Sequence, residues 1–262
     1  MSTVNGSGPR VAFDVTPVIS GRTGIARYVT QLGAELERQG VELRRFAIGR
    51  SAFPKPAGTR HLGIPFRLLS PWWRVVPWPT AEQLVGGADL VHATGSPPPA
   101  TRRPMVVTVH DVAALRYPEL HPPRHVVQQR ALIATLDRAA AIVTDSATTA
   151  DDLVALGIDL DRIVVAPLGL TPLPDPLPPT APPGEGTYLL TVGETSPRKR
   201  YDVLLRAVAQ LPHTPNLVMV GPPAADDARL RALIAELGLG EHVTRLGAIS
   251  DRELSWLYQH AM

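Results

Sequence analysis

A short apolar run, a turn and an amphipathic stretch alternate along most of the chain. Residues 11–14 (VAFD) predict a buried strand, followed by a glycine-punctuated loop over 16–24. Residues 25–39 put Ile25, Val29, Leu32 and Leu36 on one helical face, Gly40 marks the stop, and 41–48 predict a second strand. Strands are predicted again at 89–93, 105–109, 141–144 and 162–166, with helices at 124–138 and 146–156. Ser146 offers a cap for the second of these helices and Gly157 its terminus. Residues 50–80 break the pattern: six prolines and Trp72, Trp73 and Trp78 predict an ordered surface excursion.

The segment TPLPDPLPPTAPPGEG, residues 171–186, carries seven prolines, which lack an amide hydrogen and have a fixed φ. It predicts a semi-rigid connector between two domains, 1–170 and 187–262. After it the alternation restarts, with strands at 187–192, 216–220 and 242–246 and helices at 201–211 and 226–237. A last helix is opened by a Ser250/Glu253 capping box. Strands alternating with helices imply parallel sheets covered on both faces, so the fold class is α/β with two doubly wound Rossmann-like domains. The second has only three strands, about half of a dinucleotide-fold sheet. Its final helix, DRELSWLYQHAM, has neither a glycine stop nor a polar tail. The natural chain is therefore expected to continue beyond it.

Composition narrows the chemistry. With 44% hydrophobic and 19% charged residues over 262 positions, the chain can bury a substantial core. No window approaches a membrane span and the polar start, MSTVNGSGPR, lacks a secretory apolar stretch, so a cytoplasmic location is expected. Without cysteine there are no disulfides and no cysteine-ligated metal. A net charge of +2 is too small to predict a nucleic-acid partner. No cluster of metal-ligand type and no nucleophile elbow is visible.

Parallel sheets bind ligands beyond the carboxyl ends of their strands, so the residues there carry the functional weight. They are Asp14 and the loop to Gly24, His92, His110–Asp111, Asp145–Ser146, 193–199, Gly221 with its two prolines, and Gly247. Gly21 and Gly24 precede a helix start, whose free amides suit a phosphate, although tight turns use glycine in the same way. His110–Asp111 follows four residues of valine type, and two readings stay open: a reactive pair at a crevice, or a turn cap supplied by Asp111. For His92 the structural reading is the stronger. Arg198, Lys199 and Arg200 form the most basic spot, fit either for a diphosphate or for plain solvation. The three tryptophans fit packing under an irregular loop better than an acceptor groove or a lipid contact.

Five segments together resemble glycosyltransferase family 4, the retaining enzymes of GT-B fold, especially its mannosyltransferase-like members. They are DVTPVISGRTGIARYVTQL, VVTVHDVAALRYPE, AAIVTDSATTADDL with RIVVAPLGL, VGETSPRKRYDVLLRAV and LGAISDRELSWLYQHAM. The resemblance implies a donor nucleotide sugar on the second domain and a glycan or lipid-linked acceptor on the first. It implies no metal and no cofactor, and contact with the inner membrane face for a lipid-linked acceptor. Arg198 and Lys199 match the pair that neutralises the donor diphosphate, and Gly24 the glycine loop that meets it from the other domain. His110 matches a histidine near the sugar and reaction centre, with Asp111 beside it. Gly193, Gly221 and Gly247 lie in loops resembling those around the nucleotide. The family's glycine-rich turn and spaced glutamates, which follow the last helix, are absent here, so donor affinity and turnover of this chain are expected to be impaired. Two other functions remain open at this stage: a non-catalytic nucleotide-sugar-binding module, and an epimerase of the same architecture.

Overall fold

The computed structural model describes residues 8–21, 23–65, 68–69, 72–73, 76–94, 98–180 and 186–262. Pro71 of the surface excursion and 181–185 of the proline-rich segment lie outside them. The chain forms two compact units, Met1–Gly169 and Leu170–Met262.

The first unit is built on a seven-stranded, wholly parallel sheet. Its strands are β1 (Arg10–Asp14), β2 (Glu42–Ile48), β3 (Arg60–Leu62), β4 (Leu90–Ala93), β5 (Met105–Val109), β6 (Ala141–Thr144) and β7 (Ile163–Val165). They are ordered β3-β2-β1-β4-β5-β6-β7, so the direction of winding reverses between β1 and β4. Alternation along β1 shows how both faces are filled. Val11 and Phe13 join one apolar cluster with Ile19 and Val29, while Ala12 joins the opposite one with Phe46, Val107 and Ile142. Two buried faces require near-continuous apolar strands, which is what MVVTV and AIVT supply.

Helices of this unit with described bounds are α1 (Thr16–Ser20), α2 (Gly24–Arg38), α3 (Ala81–Leu84), α4 (Ala113–Arg116), α5 (Pro123–Ile133) and α6 (Ala147–Ala155). The loop expected over 16–24 thus contains a short helix, with Pro17 in its first turn where a missing amide costs nothing. The single helix expected over 124–138 is divided: α5 stops at Ile133, and a 3-10 turn follows at Leu136–Arg138. Arg162 packs against the turn that follows. Its guanidinium donates to the carbonyls of Leu136 and Ala139 at 2.5 Å each, satisfying carbonyls of the 3-10 turn and of the residue after it. Within 50–80, β3 adds an edge strand that the sequence pattern does not show, and Trp73 is buried whereas Trp72 and Trp78 are exposed.

The second unit has three parallel strands, β8 (Tyr188–Val192), β9 (Asn216–Val220) and β10 (Val243–Gly247), in the order β10-β9-β8. Helices α7 (Tyr201–Ala209) and α8 (Asp227–Glu236) cover one face, and α9 (Asp251–His260) the other. The capping box is formed in full: Ser250 accepts from Glu253 N–H, and Glu253 accepts from Ser250 N–H at 2.8 Å. Tyr188 ties α9 down through its hydroxyl, which donates to the Leu257 carbonyl at 2.8 Å. Ala261 then pairs with Tyr188 in a parallel bridge beside β8. The described part of the proline-rich segment is attached rather than free, since Leu177 N–H donates to Arg252 O and Arg252 Nε to Asp175 O. No helix among the described residues is long and apolar enough to cross a membrane.

Candidate functional site

In the first unit, β5 and β6 are neighbours with Val109 opposite Thr144. The next residue on each strand is His110 and Asp145, so sheet register alone brings these two side chains together. The imidazole Nδ1 lies 2.6 Å from Asp145 Oδ2. The side chains are only 13% and 19% exposed, which strengthens a charge-assisted hydrogen bond. Thr149 Oγ1 donates to the His110 carbonyl at 3.1 Å and holds the backbone.

Tyr28, one turn into α2, meets the His110 ring edge-on, 4.8 Å between centroids at 87°. Its hydroxyl lies 3.1 Å from Thr108 Oγ1, which is itself 2.9 Å from His92 Nε2. Burial pushes the Tyr28 phenol above its usual range; the contact with Thr108 opposes this, and the Asp145 charge adds to it. Two atoms here are buried without a partner: His110 Nε2 and Asp145 Oδ1. Each such group costs about 1–3 kcal/mol.

The other predicted residues of this unit fall into distinct roles. His92 is buried against Phe13, 5.6 Å between centroids, and burial holds its imidazole down at about 4, neutral at physiological pH. That is a structural histidine. Asp111 is exposed; its Oδ1 accepts from Ala113 N–H at 2.9 Å, and its carbonyl from the Gln129 amide at 2.7 Å. Its visible work is to open α4 and join it to α5. Asp14 is 2% exposed at the end of β1; its carboxyl accepts from Thr16 N–H at 2.8 Å, and burial raises it to about 6. Gly24 opens α2 behind the Thr23 cap, and a Cβ there would meet nothing within 4 Å. A separate apolar cleft of about 290 Å³, lined by Phe13, Val18, Val29 and Pro56, contains none of the predicted residues.

In the second unit, Gly193, Gly221 and Gly247 stand at the ends of β8, β9 and β10, with φ of 155°, 141° and 67°. Gly193 N–H donates to Val220 O and Gly221 N–H to Gly247 O, both at 2.8 Å, which stacks the three turns. A Cβ on Gly221 would fall 2.1 Å from the Gly193 carbonyl oxygen, and one on Gly193 would fall 2.8 Å from the Tyr201 hydroxyl and 3.3 Å from Lys199 Cε. Close packing under the basic loop therefore requires glycine at 221 and crowds 193, whereas at 247 only the positive φ favours glycine. Thr195 braces that loop from below: its hydroxyl accepts from Ala224 N–H at 2.8 Å and lies 3.2 Å from Asp227.

The three basic side chains are not equivalent. Arg200, in left-handed backbone at φ 50°, is paired with Asp202 at 3.2 Å. Arg198 makes a loose, exposed contact with Glu194 at 3.7 Å. Lys199 forms no ion pair among the described residues. Arg198 and Lys199 thus remain available for an anion, next to the start of α7, and beneath them Ser196 Oγ is buried without a partner. Sequence reasoning named Asp145 only as a strand-end residue, covered Thr195 and Ser196 only within the span 193–199, and missed Tyr28 and Thr108. Tyr28 was reachable, one helical turn after Gly24; Thr108 depends on register.

Comparison with known proteins gives the family. Residues 22–172, more than half of the chain, match Glycosyltransferase Family 4, and residues 178–262 match Glycosyl transferases group 1. The chain is 31% identical over 188 residues to D-inositol 3-phosphate glycosyltransferase from Mycobacterium sp. (strain KMS), an alignment spanning 60% of this chain and 39% of that protein. The chain thus covers about two fifths of the length of the curated relatives it matches. Sucrose-phosphate synthase from Thermosynechococcus elongatus superimposes with a TM-score of 0.67 at 18% identity, over 97% of this chain and 74% of that one. Anabaena HepE in complex with UDP and glucose does so with a TM-score of 0.61 at 17% identity, over 94% and 71%. These structures share the two-domain α/β fold, and with matches running along both of its units the chain belongs to glycosyltransferase family 4.

Proposed function

We propose that the whole protein is a retaining glycosyltransferase that moves a hexose, mannose or glucose, from a nucleoside diphosphate sugar to a glycan or lipid-linked acceptor. The observation that carries this reading is the basic turn of the second unit: Arg198 and Lys199 without a strong partner, above three stacked glycine turns and beside a helix start. Such a turn suits a diphosphate, because backbone amides and a guanidinium fork meet its oxygens together. The transferase names of the relatives, and HepE's complex with UDP and glucose, support the same reading.

In the proposed reaction the bond between the sugar's anomeric carbon and the diphosphate oxygen breaks, and the electron pair leaves with the diphosphate. The acceptor oxygen bonds to that carbon from the same face, so configuration is retained, and its proton passes to the departing oxygen. Charge grows on the leaving group in the transition state. Arg198 and Lys199 bind it more strongly there than in the ground state, which is how binding becomes rate. Amides at Gly24 are proposed as a further source of stabilisation. The counter-charge in this reading is the basic pair rather than a metal. A lipid-linked acceptor places the protein at the cytoplasmic face of the membrane.

The test is phosphorus NMR of UDP-glucose and GDP-mannose titrated with the chain and with an Arg198→Ala, Lys199→Ala double variant. Diphosphate signals are expected to shift and broaden with the chain, and to respond at least about tenfold more weakly with the double variant, since a hydrogen bond to a charged group is worth about 1.5–3 kcal/mol. An equal response from both proteins would overturn the assignment.

A further inference from the structure

We propose that Asp145 is the positioning residue for His110, holding it as the neutral imidazole with its proton on Nδ1 and a bare Nε2 that accepts a hydroxyl of the substrate. The identity of that hydroxyl, one on a sugar ring, rests on the transferase reading; the tautomer does not.

The geometry leaves little freedom. Asp145 Oδ2 lies 2.6 Å from Nδ1, so a carboxylate there must receive the Nδ1 proton. Tyr28 packs edge-on against the ring, and Thr149 fixes the His110 carbonyl, so neither ring nor backbone turns readily. Nε2 is buried and meets no partner. A proton on it would be an unpaired donor on a charged ring, which burial penalises more than an unpaired lone pair. The geometry therefore directs Nδ1–H at Asp145 and leaves Nε2 as the acceptor. Asp145 Oδ1 is a second buried acceptor without a partner. The pair thus offers two acceptors and no donor, next to a carboxylate charge. That combination receives hydroxyl groups and repels phosphate or carboxylate, the opposite preference to Arg198 and Lys199. The chemistry assigned to this place is a polyhydroxylated, uncharged group.

The experiment is long-range proton–nitrogen NMR of the nitrogen-labelled chain near neutral pH, which reports which ring nitrogen of each histidine carries the proton. Wild type is expected to show His110 protonated on Nδ1 alone. In Asp145→Asn the Nδ1–H pattern is expected to be lost in favour of the Nε2–H form, and in Asp145→Glu to be restored at least in part. A wild-type His110 carrying its proton on Nε2 would overturn the proposal, and so would an Asn variant with an unchanged pattern. Should that variant not fold, the wild-type spectrum still decides. Adding UDP-glucose or GDP-mannose is expected to move Nε2 in wild type at least twofold more than in Asp145→Asn. Inorganic phosphate is expected to leave it in place, and a phosphate-induced shift as large as the sugar nucleotide's would refute the assigned chemistry. If the Nδ1–H form is found but no phosphorus signal responds to the chain, the donor reading fails while the role of Asp145 stands.

Discussion

Gly221 and Gly24 both stand at the mouth of a strand-to-helix turn, yet a methyl group means different things at each. On Gly221 it would lie 2.1 Å from the Gly193 carbonyl oxygen, on backbone that cannot yield, at a φ of 141° that side chains avoid. Gly221→Ala is expected to destabilise the second unit by about 3 kcal/mol or more, read from its denaturant midpoint. On Gly24 the methyl group meets nothing, so Gly24→Ala is expected to leave that midpoint unchanged within about 0.5 kcal/mol. Any loss of sugar-nucleotide binding in this variant then reports ligand contact rather than folding. Two buried titrating groups in the first unit oppose one another. Asp14 is raised from 3.8 to about 6, so the folded chain keeps its proton longer than the unfolded one, and this contribution to stability fades as pH rises from about 4 to 6. His92 is lowered from 6.5 to about 4, so its contribution is complete above about 6.5 and is lost as pH falls towards 4. Each is worth on the order of 3 kcal/mol. Asp14→Asn is expected to make the first unit lose stability more steeply on acidification from pH 6 to 4, and His92→Gln to make it gain stability over that range. Thermal midpoints taken across those pH values separate the two.

Helix ends in this chain were legible because their signals are local. Ser146 accepts from Thr149 N–H at the start of α6, and Ser250 with Glu253 opens α9 as the three-residue spacing predicts. Removing that cap in Ser250→Ala is expected to cost the second unit about 1 kcal/mol, measured by chemical denaturation. The elements that escaped the sequence pattern are those whose signal is not local. β3 has three residues, too few for a period to show, and exists because Phe46, Ala47 and Ile48 of β2 offer it a free edge. The 3-10 turn at Leu136–Arg138 that replaces the end of the expected helix is held by Arg162, which reaches its carbonyls from more than twenty residues away. α4 is four residues long; Asp111 accepts from Ala113 N–H in the turn before it, and Gln129 holds the Asp111 carbonyl.

Each unit of the molecule carries two apolar clusters, one on either face of its own sheet. Separate cores predict separable unfolding. Leu257, fully buried beneath β8 and β9, belongs wholly to the second. Leu257→Ala is expected to lower the second unit's transition by about 2–5 kcal/mol and leave the first in place. Residue-resolved hydrogen exchange would show this as lost protection in 188–262 alone, and an equal loss in both units would contradict it. Periodicity, proline and capping residues were enough to read an α/β chain in two parts, the glycine turns and the basic loop, since each of these depends on neighbours within a turn or a strand. No such reading could join His110 to Asp145, or Gly193 to Gly221. Those residues meet because parallel strands far apart in sequence lie side by side in register, and strand order is chosen by the packing of the whole sheet.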